Sequence, residues 1–466
     1  MFMAQLDASV VLVALPAMAR SFAVEPVDLS LGITIYVLVQ AVLLPSSHWI
    51  AERFGARRVF STALICFTLA SVCCGLSHTF IQFIAARVLQ GATAALMTPV
   101  ARVILLQSTR KEDLVAAMSI STAPMLLAPT LGPPIGGFIT TYLSWPWIFY
   151  LNVPFGLLAV VLAQRFIPAS GPKVRRPFDV VGFLLIAATI VGVLSGLDWI
   201  SAGPTRWLPG VLLTVVGLVL GIVATRHLRK HPHPILSLLP TRIQTYFATT
   251  IGGGALVRLP VRAAPFVLPL LFQVKFGYTA FQTGLLLLAM NGGDLVLKIV
   301  TTHTLRRYGF RDVLLTSTVA MLVLIACCAL FSTATPYWLI VVVLAACGMA
   351  RSLLFTGMST LAFVDVPHEE LGSASVLWNM AQQITNALGV SIAAIVLNFT
   401  AVALGQQPGY IGLRNCQVAL LFTAALGATS LFAFRSLPRD AGAAVSGHRA
   451  GATARYDDSP PEQPPV

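Results

Sequence analysis

Acidic side chains are scarce in this chain. Only 17 of 466 residues are Asp or Glu, and charged residues of both signs make up 10%. A soluble domain carries about 25%, so a soluble enzyme or binding domain is excluded. Walker A loops, HExxH motifs and CxxC pairs are all missing, which removes the signatures of ATP drive, zinc hydrolysis and thiol–metal chemistry. Seven cysteines (66, 73, 74, 327, 328, 347 and 416) form an odd set, mostly inside apolar runs, and read as small packing residues. The first twenty residues lack a basic stretch and place Asp7 in an apolar run, so they do not read as a cleaved signal peptide. The chain begins almost inside that run, and its true start is expected upstream.

What is present is apolar: 57% of residues are hydrophobic and the mean hydropathy is +0.83. Runs of about 20 apolar residues cross a hydrocarbon core about 30 Å thick. Fourteen such runs occur, at 2–21, 29–50, 59–77, 80–106, 114–141, 146–166, 178–197, 207–226, 245–273, 279–303, 313–332, 337–360, 372–402 and 415–435. The pattern predicts an all-α membrane protein of fourteen spans. From Leu437 the chain turns rich in Pro, Ala, Gly and Asp and reads as a disordered tail.

The net charge of +13 does not point to nucleic acid, because the basic residues lie between apolar runs rather than on one face. With the N-terminus inside, twenty of the 30 Lys and Arg fall on cytoplasmic loops and the tail, four lie outside, and six sit within spans. That asymmetry obeys the positive-inside rule and places both termini in the cytoplasm. The stretches AERFGARRVF (51–60) and LRRYGFRDVL (305–314) repeat Arg-aromatic-Gly-x-Arg at an offset of 254 residues. Two six-span halves, 1–167 and 243–436, separated by a two-span insert at 168–242 and followed by a tail at 437–466, reproduce that offset.

Four motifs then appear in order. LDASVVLVALP (6–16) resembles the first-span motif of the fourteen-span drug:proton antiporters of the major facilitator superfamily. WIAERFGARR resembles the superfamily's loop motif, RVLQG (87–91) its fourth-span motif, and LGPPIGG (131–137) the antiporter motif. The resemblance implies the major facilitator fold and proton-coupled export of small molecules or drugs. It makes Gly132, Pro133, Gly136 and Gly137 the antiporter motif, shaping the junction between the halves and limiting leak. Glu52, Arg53, Gly55, Arg57 and Arg58 become a conformational latch that binds the ends of adjacent helices. Glu52 replaces the usual Asp and His48 the first Gly, so a bulky ring stands where helices usually cross closely. In the second copy Arg306 replaces the acid, and no latch of that type is expected.

Ionisable groups inside a bilayer cost at least about 2.5–3.5 kcal/mol by insertion scales, so each marks a candidate site. Counting the twelve core spans, Asp7 lies on the first, Arg87 and Arg102 on the fourth, Arg258 and Arg262 on the seventh, Asp294 and Lys298 on the eighth and Arg351 on the tenth. In the resembled fold the first, fourth, seventh and tenth line the cavity. Asp7, with Arg87 as partner, is the candidate proton carrier. Arg258, Arg262, Arg351, Asp294, Lys298, Asn379 and Gln383 are the candidate substrate-cavity residues. Asp294 and Lys298 stand at i,i+4 and suit a structural pair as well. Arg102 suits either the cavity or snorkelling. Pore lining and interhelical bonding account equally for the stripe of Asn379, Gln383 and Asn386. Six embedded bases against two acids favour an anionic or neutral solute over a cationic one.

The function expected is secondary active export by proton antiport and alternating access across the bacterial inner membrane. Export of organic acids or their metal complexes is the first alternative, and a non-transporting sensor of the same fold the second. Neither enzyme activity, cofactor, catalytic group nor metal site is expected. The partners are a small-molecule substrate, protons and the bilayer, without nucleic acid, and the monomer is the expected functional unit.

Overall fold

The computed structural model describes residues 2–24, 31–110, 113–168, 177–201, 206–407 and 410–446. All regular structure among them is helical. The first half comprises α1 (Phe2–Phe22), α2 (Leu31–Leu43), α3 (Ser46–Phe54), α4 (Ala56–Gly75), α5 (Phe80–Ser108), α6 (Leu114–Tyr142), α7 (Trp147–Tyr150) and α8 (Asn152–Phe166). An insert of α9 (Val180–Ser201) and α10 (Trp207–Lys230) follows. The second half comprises α11 (Gln244–Thr250), α12 (Gly253–Leu270), α13 (Ala280–Tyr308), α14 (Phe310–Ala329), α15 (Tyr337–Val364), α16 (Leu371–Ala403), α17 (Leu413–Ala428) and α18 (Ser430–Arg435), with a last turn α19 (Ala443–Ser446).

Among the described residues, ten helical stretches are long and apolar enough to cross a membrane, and twelve if each of two bent pairs counts as one span. One bent pair is α2 with α3, which meet at 61° beside Pro45, where the missing N–H and the ring interrupt the ladder. Helices α1 and α6 lie where the sequence map puts its first and fifth spans. Local signals set the ends. Thr79 and Thr279 form reciprocal capping boxes with Gln82 and Gln282, satisfying amides at the starts of α5 and α13. Gly55 (φ 86°) and Gly309 (φ 77°) turn the chain between α3 and α4 and between α13 and α14, a conformation that excludes most side chains.

Within the first half α1 packs on α6, and α5 on both α2 and α4; within the second, α13 packs on α15 and α12 on α16 and α17. The halves meet where α6 touches α13 and α15, and where α16 touches α5. The turns carrying Arg53, Arg57, Arg306, Arg307 and Arg311 define a basic end of the bundle. There one apolar cluster joins both halves, through Leu106 of α5 and Leu114 and Met118 of α6 with Leu354 and Leu361 of α15 and Trp378 of α16. Two further clusters stay within the first half and one within the second. The basic end is therefore the closed end.

A fifth cluster seats the insert. Ile186 and Ile190 of α9 and Ala224 and Leu228 of α10 pack with Ala41 and Leu44 beside α2 and Val376 of α16, so the insert touches both halves. The chain does not leave the fold at Leu437, as the composition of the tail suggests. Leu437, Ala441 and Val445 are buried against the closed-end cluster. Leu437 and Ala441 lie in non-helical turns, and their burial with Val445 outweighs the small, polar residues between them. Residues 447–466 lie outside the described part of the chain.

Candidate functional site

The most enclosed polar cluster lies in the first half. Arg87 of α5 donates from Nη1 to Asp7 Oδ2 at 2.7 Å, and both side chains are wholly buried. Asp7 Oδ1 accepts from Gln90 Nε2 and from Asn152 Nδ2, each at 3.0 Å. Gln90 and Asn152 also donate to Ser71 Oγ, at 2.7 and 3.3 Å. Arg87 also meets Gln90 Oε1 (2.5 Å), the Gly32 carbonyl (3.1 Å) and the Tyr36 ring, 4.4 Å from its guanidinium carbon, while its Nη2 has no hydrogen-bond partner among the described residues. Five helices (α1, α2, α4, α5 and α8) thus meet in one cluster, and α5 and α8 bond the carboxylate directly. A proton placed on Asp7 removes the charge that balances Arg87. Leaving one partner of a buried ion pair uncompensated costs about 3–5 kcal/mol, enough to shift a two-state equilibrium about a hundredfold or more. Gln90 stands in the RVLQG motif and was legible there as a polar residue one turn beyond Arg87. Ser71 and Asn152 carried no comparable signal.

The antiporter-motif glycines bring α6 against this site. A Cβ on Gly132 would lie 2.0 Å from Ser9 Oγ, and one on Gly136 3.1 Å from Val10, so bare glycine permits the α1–α6 approach two and three residues past Asp7. Gly137 has open space at its Cβ position, and the side chain of Pro133 lies outside the described residues. Since α6 also touches α13 and α15, the motif helix lies between the helix of Asp7 and the other half.

A second ion pair stands in the other half. Arg351 Nε donates to Asp294 Oδ2 at 2.9 Å and Nη2 to Asn291 Oδ1 at 2.9 Å, while Lys298 Nζ donates to Thr356 Oγ1 at 2.8 Å. The crossing of α13 with α15 permits this, because a Cβ on Gly293 or Gly348 would strike backbone oxygens.

Arg258 and Arg262 do not share an accessible face. Arg258 is fully buried and donates to the carbonyls of Thr250 (3.0 Å) and Thr249 (3.5 Å), with its guanidinium 4.5 Å from the Trp378 ring. The break at Gly252 between α11 and α12 leaves those carbonyls without helical donors, and the guanidinium fork supplies them. Arg258 is therefore not a cavity-lining residue in this conformation, which corrects the sequence expectation. Arg262 is exposed and lies within electrostatic range of Arg351. Arg102 faces the same indole as Arg258, 5.8 Å from Trp378 and 5.9 Å from Phe363, so Trp378 of one half is flanked by arginines from both. Asn379 donates to the Ser375 carbonyl at 2.8 Å and is buried, Gln383 is half-buried, and Asn386 Oδ1 is buried with no partner among the described residues.

In the loop motif Glu52 pairs with His48 at 3.5 Å, Arg53 stacks on Trp49 and Phe54, and Arg58 is exposed. Arg57 donates to the Gln164 carbonyl at the end of α8. In the repeat Arg311 donates to the Arg435 carbonyl at the end of α18 (2.8 Å). Each half therefore ties its second turn to its last helix through the equivalent arginine, a bond unexpected for the second copy and independent of the acid missing there. His48 lies on Gly372 of α16, where a Cβ would stand 1.9 Å from its ring. The small residue that the motif lacks at position 48 is found on the facing helix.

Comparison with known proteins agrees with this architecture. The sequence model of the Major Facilitator Superfamily matches residues 1–390 and 250–451. MdtD of Klebsiella pneumoniae, named as a multidrug resistance protein, is 33% identical over 448 residues, covering 95% of this chain and 93% of its own. The MdtD of an Escherichia coli O6:H1 strain is 32% identical over 443 residues, covering 94% and 93%. Among solved structures, the human organic anion transporter MFSD10 superposes with a TM-score of 0.66 at 14% identity, covering 93% of this chain and 96% of that one. The proton:xylose symporter XylE, bound to 6-bromo-6-deoxy-D-glucose, superposes at 0.63 and 12% identity, covering 95% and 94%.

Proposed function

The chain belongs to the major facilitator superfamily, and from that premise we propose that it exports small molecules in exchange for protons, by alternating access, across a bacterial inner membrane. Family and fold are those of membrane transporters, not of enzymes. The excess of Lys and Arg on one set of loops supports an orientation with both termini in the cytoplasm. The names of the relatives at about one-third identity support drug-like cargo.

One observation carries the coupling mechanism: Asp7 is buried against Arg87, Gln90 and Asn152, beside the glycine-packed contact of α1 with α6. In the cycle we propose, a proton on Asp7 frees Arg87 and loosens this packing, and its departure restores the pair, so protonation biases one open state. The closed basic end, with its apolar cluster across both halves, suits the state in which the opposite side is open. Transport into everted vesicles, with and without a proton gradient, tests the proposal. Asp7→Asn should abolish gradient-driven transport while the protein remains in the membrane at normal abundance. Undiminished transport in that variant would remove Asp7 from the mechanism.

A second reading concerns cargo charge. Arg262 is exposed on α12, within range of Arg351. Such a group suits a carboxylate, which a guanidinium binds through paired hydrogen bonds.

A further inference from the structure

The two inserted helices meet at the basic end in a cluster separate from the proposed coupling site. Asp179 precedes α9 and is buried. Its Oδ1 accepts from the Gly182 amide at 2.8 Å and lies 2.9 Å from His227 Nε2, and its Oδ2 accepts from the Ile235 amide at 3.3 Å. His227 stands on the last turn of α10 and His231 just past its end, one turn further, with ring centroids 5.0 Å apart. One donor atom from each of Asp179, His227 and His231 lies within 4.8 Å of the other two.

We propose that Asp179, His227 and His231 bind a divalent transition-metal ion of borderline softness, such as Zn2+, at the basic end of the inserted pair. Two imidazoles and one carboxylate are a donor set for Zn2+ and its neighbours. Ca2+ and Mg2+ prefer oxygen throughout. Around a tetrahedral ion with bonds of about 2.0–2.1 Å, ligand atoms stand about 3.4 Å apart. The His227–Asp179 separation of 2.9 Å needs to widen only slightly, and His231, within 4.8 Å of both, to approach by at most about 1.4 Å. Two features beyond the three ligands support a built site. The Gly182 and Ile235 amides fix the carboxylate from behind, as outer-shell donors do in metal centres. The His227 side chain is 23% exposed, which leaves solvent able to supply a fourth ligand.

A cavity of about 360 Å³ beside the cluster is lined by Leu228, His233 and Ile235 and by the acids Glu52, Glu369 and Glu370, which offset the nearby Arg229 and Arg242. Cations can collect there despite the basic surroundings. The bound ion would hold the start of α9 to the end of α10. It would also hold the following linker, which reaches the second half through the Ser237 amide and Ser373 Oγ at 3.2 Å.

The alternative is a helix cap whose histidines only hydrogen-bond. Full-length protein purified in detergent without a histidine tag, stripped with chelator and titrated with Co2+, separates the two. The proposal expects the visible absorption of a nitrogen- and oxygen-ligated, near-tetrahedral Co2+, saturating at one equivalent per chain and displaced by Zn2+, with a higher melting temperature in Zn2+. Asp179→Asn keeps a capping side chain, and His231→Gln lies beyond the helix, so both variants should fold. Each should weaken Co2+ binding at least tenfold. No saturable band at one equivalent, or wild-type affinity in both variants, would overturn the assignment.

Discussion

Arg258 and Arg262 stand four residues apart on α12, yet one is bound into the protein and the other is open to a solute. Arg258 holds the carbonyls at the α11–α12 break and backs Trp378. Arg262 is exposed near Arg351. The two alanine variants should therefore fail in different ways. If organic anions are cargo, Arg262→Ala should raise their KM by about ten- to a hundredfold, the worth of hydrogen bonds to a charged group, with the melting temperature little changed. Arg258→Ala should lower the melting temperature, because two buried carbonyls lose their donors. Unchanged KM for a panel of carboxylates in Arg262→Ala would end the anion reading. Spacing on a helix placed both arginines on one side but could not show that the helix break at Gly252 would draw one of them inward. The same limit applies to Asp294, whose i,i+4 neighbour Lys298 was visible in sequence while Arg351, 57 residues away, was not.

At the scale of elements, spans, repeat and motif positions were legible, because apolar length and glycine turns are local properties. Packing between helices was not. His48 in place of the motif's glycine looked like an obstacle to close crossing, but Gly372 on α16 supplies the missing space. The pair gives a directional test. Gly372→Ala alone should strike the imidazole and lower stability by about 1–3 kcal/mol, the usual cost of overpacking, read as a fall in melting temperature. His48→Ala in the same background should restore most of it. Failure of the second substitution to rescue would show that the two positions do not share one space. The buried residues Leu437, Ala441 and Val445 belong here too. The surrounding Pro, Gly and Asp favour a tail, and only the cluster that these residues cover decides the matter.

For the whole molecule, the closed end rests on one cluster that crosses the halves, with Trp378 between Arg102 and Arg258. Truncating a buried Trp to Ala costs about 3–5 kcal/mol, and here the loss falls on one conformation. Trp378→Ala should therefore favour opening of the basic end. A single cysteine at Met118, in an otherwise cysteine-free chain, should be alkylated several-fold faster in that variant. Equal rates would mean that the indole stabilises the halves singly rather than their closure. The insert enters at the same scale, because α9 lies against α2 of one half and α16 of the other, with α10 packed on α9. They cover the crevice between the halves along that flank. Lipids, and lipophilic solutes dissolved among them, meet two extra helices there. Any sideways passage from the bilayer between the halves would then have to use the opposite flank, where α6 faces α13 and α15.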